Sequence, residues 1–198
     1  LRGRDIKRYS YNFADLWLIN THNGIKEKGI NRIDINNYPA VKQHLDNYLP
    51  QLKKRQDKGD TPYNLRNCAY IEDFYKQKIM YSEIVQEPQF YIDNSGEFFP
   101  EATTFILTGE HLEYLCNVFN SKTIALVFKV FYAGGGLGEN GYRYKKVFFE
   151  KLPIPKFENT YTQQQIKDAL IDDNIEYLIY KLFKFNDTEI DFIQTQWC

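Results

Sequence analysis

Cationic side chains occur in three short clusters, and these residues carry the clearest chemical signal in the sequence. Residues 1–8, 51–58 and 142–151 each have a net charge of +3 and include or adjoin polar or aromatic side chains. Lysine and arginine neutralise phosphates, and arginine and asparagine can also contact base edges. One such cluster alone would be explained by an ordinary solvated face. Three of them predict a surface that binds nucleic acid.

Other residue patterns in the sequence do not support catalysis. Residues 136–141 match G-x-G-x-x-G, but a predicted helix precedes them and a β-prone segment follows, which is the reverse of a dinucleotide site. A hinge or a close backbone approach to a ligand explains these glycines better. The three histidines have no metal-ligand spacing, and Glu83 with Glu87 and Lys78 is too small a set for a two-metal nuclease. We therefore predict neither a catalytic residue nor a metal site in this chain.

Composition indicates a folded domain. The 198 residues are 43% hydrophobic and 17% aromatic, which is sufficient for a core. No run of eighteen apolar residues occurs, so a membrane span is excluded. Three cysteines without C-x-x-C spacing favour a reducing cytoplasm. The start lacks both an initiator methionine and a signal-peptide pattern, and we expect the sequence to be part of a longer polypeptide.

Charge is segregated along the chain although the net charge is only −1. Residues 1–156 carry a net charge of +4 and residues 157–198 a net charge of −5. This segregation predicts two parts, a basic working domain over residues 1–156 and an acidic helical tail or spacer over residues 157–198.

Hydrophobic periodicity predicts the elements that must position the cations. The pattern favours an α/β (α+β) fold, in which a mixed or antiparallel sheet with packed helices is followed by a short helical C-terminal tail. Two helices are expected to meet at Asn120-Ser121, the second buried on nearly all sides, and a third to start at Tyr38-Pro39. The predicted strands cover residues 16–20, 78–84, 89–92, 103–108 and 142–149.

Several segments together resemble one known family. They are residues 1–9 (LRGRDIKRY), 58–70 (KGDTPYNLRNCAY), 120–122, 133–146, 152–155 (LPIP), 179–183 and 187–190. In this order they resemble the TaqI-like C-terminal specificity domain, the target-recognition domain of restriction–modification enzymes. The resemblance covers nearly the whole chain.

The resemblance implies sequence-specific binding of double-stranded DNA, in the cytoplasm and in bacterial defence. It implies an upstream adenine-N6 methyltransferase domain in the same chain that uses S-adenosylmethionine, and in some members an endonuclease that needs a divalent metal. The N-P-P-Y/F signature of the methyltransferase is absent from these residues. Neither catalysis nor a cofactor is therefore expected in this part of such a type II enzyme.

The residues expected to contact DNA come from the three clusters and two loops. They are Arg2, Arg4, Lys7, Lys54, Arg55, Lys58, Asn64, Arg66, Tyr142, Arg143, Lys145 and Lys146. The loops at residues 57–67 and 134–141 are expected to clamp the duplex. Two alternatives remain open. One is a protein-assembly module that docks through residues 157–198, and the other is a nucleotide-using or nuclease domain around residues 136–141 or Glu83.

Overall fold

The chain forms two compact units. The computed structural model describes residues 1–132, 141–156, 164–165, 168 and 175–196. Leu1–Asp15 and Phe74–Cys198 make up the main unit, and Leu16–Asp73 make up the inserted unit. The predicted glycine loop at residues 134–141 lies outside the described residues, except for Gly141.

The main unit contains a three-stranded antiparallel sheet, in which residues 78–82 form the central strand between residues 90–93 and residues 104–107. The strands are β1 (Ile6–Lys7), β2 (Ser10–Tyr11), β3 (Lys78–Ser82), β4 (Ile84–Val85), β5 (Phe90–Asp93), β6 (Thr104–Leu107) and β7 (Tyr142–Arg143). Ile79 in β3 lies opposite Ile92 in β5 and Leu107 in β6. Every residue of β3 is buried, so both faces of this strand are covered. The three predicted strands between residues 78 and 108 are confirmed.

The helices lie in both units. Their bounds are α1 (Pro39–Asp46), α2 (Leu49–Lys54), α3 (Leu112–Phe119), α4 (Lys122–Phe131), α5 (Lys146–Phe149), α6 (Ile175–Phe183) and α7 (Asp187–Thr195). Helices α3 to α6 follow the sheet in sequence and share its hydrophobic cluster, whereas α1 and α2 belong to the inserted unit. The predicted junction of α3 and α4 is confirmed, because Ser121 Oγ accepts a hydrogen bond from Ile124 N at 3.2 Å. The predicted fold class, an antiparallel sheet with packed helices and a helical C-terminal end, is also confirmed.

Aromatic side chains fill the core between the sheet and the helices. The Phe90 ring in β5 lies 5.3 Å from Phe119 in α3 and 5.2 Å from Tyr144, measured between centroids. Phe128 in α4 lies 4.6 Å from the same tyrosine ring. Such tilted and edge-on pairs stabilise beyond the area that they bury. Cys116 is also buried in this cluster.

Residues 175–183 belong to the main unit. Ile175, Leu178 and Ile179 of α6 are buried in the same hydrophobic cluster as α3 and α4. Glu176 accepts hydrogen bonds from Lys122 N, from Thr123 N (3.2 Å) and from Thr123 Oγ1 (2.8 Å) at the first turn of α4. Apolar residues of α6 thus complete the core of the main unit, and the predicted domain division at residues 156/157 stays a prediction.

The Glu176 carboxylate is expected to stabilise the main unit as a remote helix cap. Glu176→Ala leaves two backbone N–H groups of α4 without their acceptor, so we expect the free energy of unfolding to fall by about 1–2 kcal/mol. Urea denaturation measures this loss. Glu97→Ala removes an exposed glutamate of the same unit and should change the stability by less than about 0.5 kcal/mol. Equal stabilities of the two variants would contradict the capping role.

Three local predictions are wrong. Residues 16–19 form no strand, and Leu16, Trp17 and Leu18 are exposed, Trp17 by 83%, because a short apolar run does not identify a strand unless a partner covers it. The predicted strand over residues 142–149 ends after Arg143, and α5 follows. The end of α4 is not buried all round, since the Phe131 side chain is 75% exposed.

Candidate nucleic-acid interface

The N-terminal basic set is held in place by a buried aspartate. Arg2 donates to Asp5 through Nε (2.8 Å) and Nη2 (2.7 Å), and these hydrogen bonds lower the pKa of Asp5 to about 2. Arg2 therefore serves a structural ion pair. Lys7 is half-buried and donates from Nζ to the Arg4 carbonyl (3.1 Å). Arg4 is the candidate of this set with an exposed side chain.

The second basic set of the main unit surrounds β7 and the start of α5. Lys145 and Lys146 are exposed, and the Lys146 side chain, 78% accessible, has Glu150 at 3.5 Å. Arg143 is 38% accessible, and its Nε lies 3.8 Å from Glu83, beyond hydrogen-bonding distance. Ion pairs this exposed or this long contribute little energy. The three cations are therefore available to an external anion.

Burial removes Tyr142 from the predicted contact residues. Its side chain is 1% exposed, and its hydroxyl lies 3.3 Å from that of Tyr144, two residues further on. Burial raises the pKa of Tyr142 to about 12. Both rings point into the core, because residues i and i+2 of an extended segment share one face. Tyr142 is thus a core residue that fixes the neighbouring Arg143.

The two basic sets of the main unit border the same strand end, residues 82–84. On one side a Cβ added to Gly3 would come within 2.6 Å of Ser82 Oγ, so only glycine allows the segment of Arg4 to lie so close. On the other side Ile84 pairs with Arg143, and Tyr144 N donates to the Glu83 carbonyl at 2.8 Å. The fold therefore places the segment of Arg4 and the segment of Arg143 at the same strand end, although they are about 140 residues apart in sequence.

Asn64 is a structural residue of the inserted unit and not a surface contact. The side chain is 1% exposed. Its Nδ2 donates to the Ile33 carbonyl (2.9 Å), and its Oδ1 accepts from Thr61 Oγ1 (2.6 Å). Arg55 donates from Nη2 to the Asn64 carbonyl (2.7 Å). Both side chains hold residues 57–67 in place: Asn64 is too buried to reach DNA, while the DNA contact of Arg55 stays a prediction.

The remaining candidates of the inserted unit are exposed. Lys54 ends α2, and Lys58 donates from Nζ to the Lys53 carbonyl at 2.9 Å. Arg66 Nη1 lies 3.2 Å from Asp57 Oδ2, with both side chains more than two-thirds accessible. Such a pair exchanges readily with an external phosphate. This unit therefore presents a basic set of its own.

The described residues contain neither a metal cluster nor a membrane helix. Within residues 1–132, 141–156 and 175–196, no group of three or more His, Cys, Asp or Glu is arranged to hold a metal ion. No helix in the described part of the chain has both the length and the apolar character that a membrane span requires. The described residues thus present exposed cations at the surface. The comparison with known proteins shows in which family these cations occur.

The family model of the TaqI-like C-terminal specificity domain matches residues 1–154. The chain belongs to this family. TaqI-like specificity domains are DNA-recognition modules of restriction–modification enzymes, and a specificity domain is not itself catalytic. No curated protein matches the chain. The match includes all twelve predicted contact residues, while α6 and α7 lie beyond it.

An open concavity in this TaqI-like domain was missed by the sequence analysis. Its volume is about 300 Å³, and it lies at the ends of β4 and β7. It is lined by Ile84, Val85, Gln86, Glu87, Gln89 and Gly141. No sequence signal distinguished Gln86, Glu87 and Gln89 from an ordinary loop, because the two-residue strand β4 before them is too short to show a periodicity.

Proposed function

We propose that this TaqI-like domain is the sequence-specific double-stranded DNA recognition module of a type II restriction–modification enzyme. In this proposal it positions an adenine-N6 methyltransferase domain that lies upstream in the same chain. The methyltransferase domain would bind S-adenosylmethionine, and a divalent metal would be needed if the chain also holds an endonuclease. Such an enzyme acts on DNA in the bacterial cytoplasm.

The observation that supports DNA binding most directly is the basic surface around residues 82–84. We name this surface the phosphate face, and define it as Arg4, Arg143, Lys145 and Lys146. Arg4, Lys145 and Lys146 are exposed and the Arg143 side chain is 38% accessible, and their segments, from both ends of the family match, border one strand end. The ion-pair partners of Arg143 and Lys146, which are Glu83 and Glu150, make only long or exposed pairs with them.

A cationic face of this kind binds duplex DNA by neutralising phosphates and releasing condensed counterions. Phosphate contacts set the position and register of the protein but carry no sequence information. A recognition module for adenine methylation needs this register, because the target base must leave the stack to reach a methyltransferase pocket. The phosphate face therefore accounts for affinity and positioning.

Removal of two cations from the phosphate face is expected to weaken DNA binding. Arg143→Ala with Lys146→Ala removes two phosphate contacts, so the slope of log K against log salt should become shallower by roughly 2, and binding should weaken roughly thirtyfold at 0.15 M salt. Fluorescence anisotropy of a labelled duplex over a salt series measures both quantities. The melting temperature should stay nearly unchanged, since both side chains are partly or fully accessible.

The matched control removes two exposed lysines elsewhere on the main unit, Lys122→Ala with Lys181→Ala. It changes the net charge by the same amount and should leave the salt slope close to that of the original chain. If both double variants weaken binding equally, only net charge matters and the phosphate face is wrong. If the affinity of the original chain for DNA does not depend on the salt concentration, the DNA-binding function itself is contradicted.

A further inference from the structure

We propose that the concavity at the ends of β4 and β7 is a base-reading site, in which Gln86, Glu87 and Gln89 contact base edges of the target DNA. This inference rests on the proposed DNA-binding function and deepens it, because it assigns the residues that select the sequence. The chemical class of its ligand is the hydrogen-bonding edge of an adenine or cytosine in the major groove.

The backbone that carries these three side chains is fixed on both sides. Val85, Pro88 and Phe90 are buried, so they anchor the segment at intervals of two or three residues. Between these anchors Gln86 and Glu87 are exposed, and Gln89 is half-buried. A site that discriminates between bases needs side chains held in a fixed position. Side chains on a rigid backbone meet this need, because they lose less entropy on binding than those on a mobile loop.

The backbone is also held by pairing on each side of the concavity. Val85 pairs with Tyr142 in the register of β4 and β7. At the other end the backbone N–H of Phe90 donates to Asn120 Oδ1 at 3.0 Å, and the Asn120 Nδ2 donates back to the Phe90 carbonyl at 2.8 Å. The segment therefore has fixed hydrogen-bonded ends and polar side chains between them.

The polar groups of the three side chains are free to bind a ligand. Among the described residues, Gln86, Glu87 and Gln89 make no side-chain hydrogen bond or ion pair with another part of the protein. Two amides and one carboxylate thus line the concavity without a hydrogen-bond or ion-pair partner among the described residues. A glutamine side chain can pair with N6 and N7 of adenine, and a carboxylate accepts from N4 of cytosine.

Charge distinguishes a base from a phosphate as the occupant. Glu87 places a negative charge at the concavity, and this charge repels a phosphate but accepts a hydrogen bond from an exocyclic amino group. The cations Arg143, Lys145 and Lys146 follow Gly141, which lines the same concavity. In specific protein–DNA complexes, some side chains contact phosphates and fix the register, and others contact base edges and select the sequence. The cations and the concavity would share the work in this way.

Selection from a randomised duplex library tests the assignment. The original chain, Gln86→Ala with Gln89→Ala, and Glu87→Gln are each used to enrich duplexes at constant salt, and the enriched pools are sequenced. We expect the original chain to enrich one sequence. The double glutamine variant should lose its preference at one or two base pairs, with the ratio of specific to non-specific affinity falling about five- to 150-fold per position.

The isosteric Glu87→Gln variant keeps the inference testable if the double variant is unstable. It should relax the preference at one position and bind non-specific duplex somewhat more tightly, because one negative charge is removed. As a matched control, Gln43→Ala with Gln196→Ala removes two exposed glutamines far from the concavity in sequence, and the enriched sequence should not change.

The outcomes separate this inference from the proposed function. If the folded Gln86, Gln89 and Glu87 variants enrich the same sequence as the original chain with the same discrimination, the base-reading site is wrong while DNA recognition stands. If the original chain enriches no sequence and its binding does not depend on salt, the proposed function fails and the base-reading site fails with it.

Discussion

Lys78→Met is expected to lower the free energy of unfolding by about 3–5 kcal/mol, the largest loss among the substitutions considered, because it leaves a buried carboxylate without its counter-ion. Lys78 and Asp93 are both 0% exposed, and Nζ lies 2.5 Å from Oδ2. The two residues pair directly across β3 and β5. Urea denaturation followed by circular dichroism measures the loss.

Lys129→Met is the matched control for this substitution. It makes the same change on an exposed position of α4 and should alter the stability by less than about 0.5 kcal/mol. A Lys78→Met protein as stable as the control would show that the pair is not needed. Methionine has nearly the same length as lysine, so the loss reports on charge more than on packing.

The same pair makes stability depend on pH in the acid range. Burial alone would raise the pKa of Asp93, but the hydrogen bonds from Lys78 and from the Phe98 and Glu97 N–H groups outweigh burial and lower the pKa. A carboxyl whose folded pKa is depressed stabilises above its unfolded pKa, near 3.9, and this contribution is lost as the pH falls through the folded pKa. The contribution of this carboxyl to the stability of the original chain should therefore be complete at pH 7 and decline below about pH 4, which urea denaturation over a pH series measures.

Asn120→Ala is expected to destabilise the main unit by about 2–4 kcal/mol. The Asn120 side chain is 1% exposed and makes two hydrogen bonds to the backbone of Phe90 in β5. The Phe90 carbonyl keeps a second donor in Tyr9 N at 3.0 Å. The Phe90 N–H would therefore be the group left buried without an acceptor. Thermal and urea denaturation measure the effect.

Asn117 provides the comparison on the same helix. Its Nδ2 donates to the Glu113 carbonyl at 2.7 Å on the exposed side of α3. Asn117→Ala should cost less than about 0.5 kcal/mol, because water replaces the lost donor. If the two alanine variants are equally stable, the Phe90 backbone must find another partner, and the anchoring of the base-reading segment by Asn120 is contradicted.

The sequence predicted those elements whose signals are local. The α3–α4 junction was predicted from the cap chemistry of Asn120-Ser121, and the hydrogen bond from Ile124 N to Ser121 Oγ is present. Segments that depend on a distant partner were not predictable in this way. The sequence of residues 16–19 predicted a buried strand, but their side chains are exposed. Phe149 and Leu152 are buried three residues apart, which suits the helical turn found there and not the predicted strand.

The sequence predicted that the candidate site is basic, but it did not predict which of the cations are exposed. Residue type identified the exposed cations Arg4, Lys145 and Lys146 correctly as accessible side chains. It did not separate them from Arg2 and Arg55, whose guanidinium groups serve internal hydrogen bonds. Burial is decided by contacts between residues far apart in the chain, and no local pattern of Arg or Asn contains that information.

The discontinuity of the main unit has a consequence for its synthesis. β1 and β2 contact β5, and the Leu1 carbonyl accepts hydrogen bonds from Glu101 N at 2.9 Å and Thr104 Oγ1 at 3.2 Å. The first fifteen residues therefore leave the ribosome before their partners have been translated. At typical elongation rates of roughly 5–20 residues per second, they wait about 5–20 s for residue 107. During that interval the core that buries Ile6 in the folded chain has not yet been synthesised.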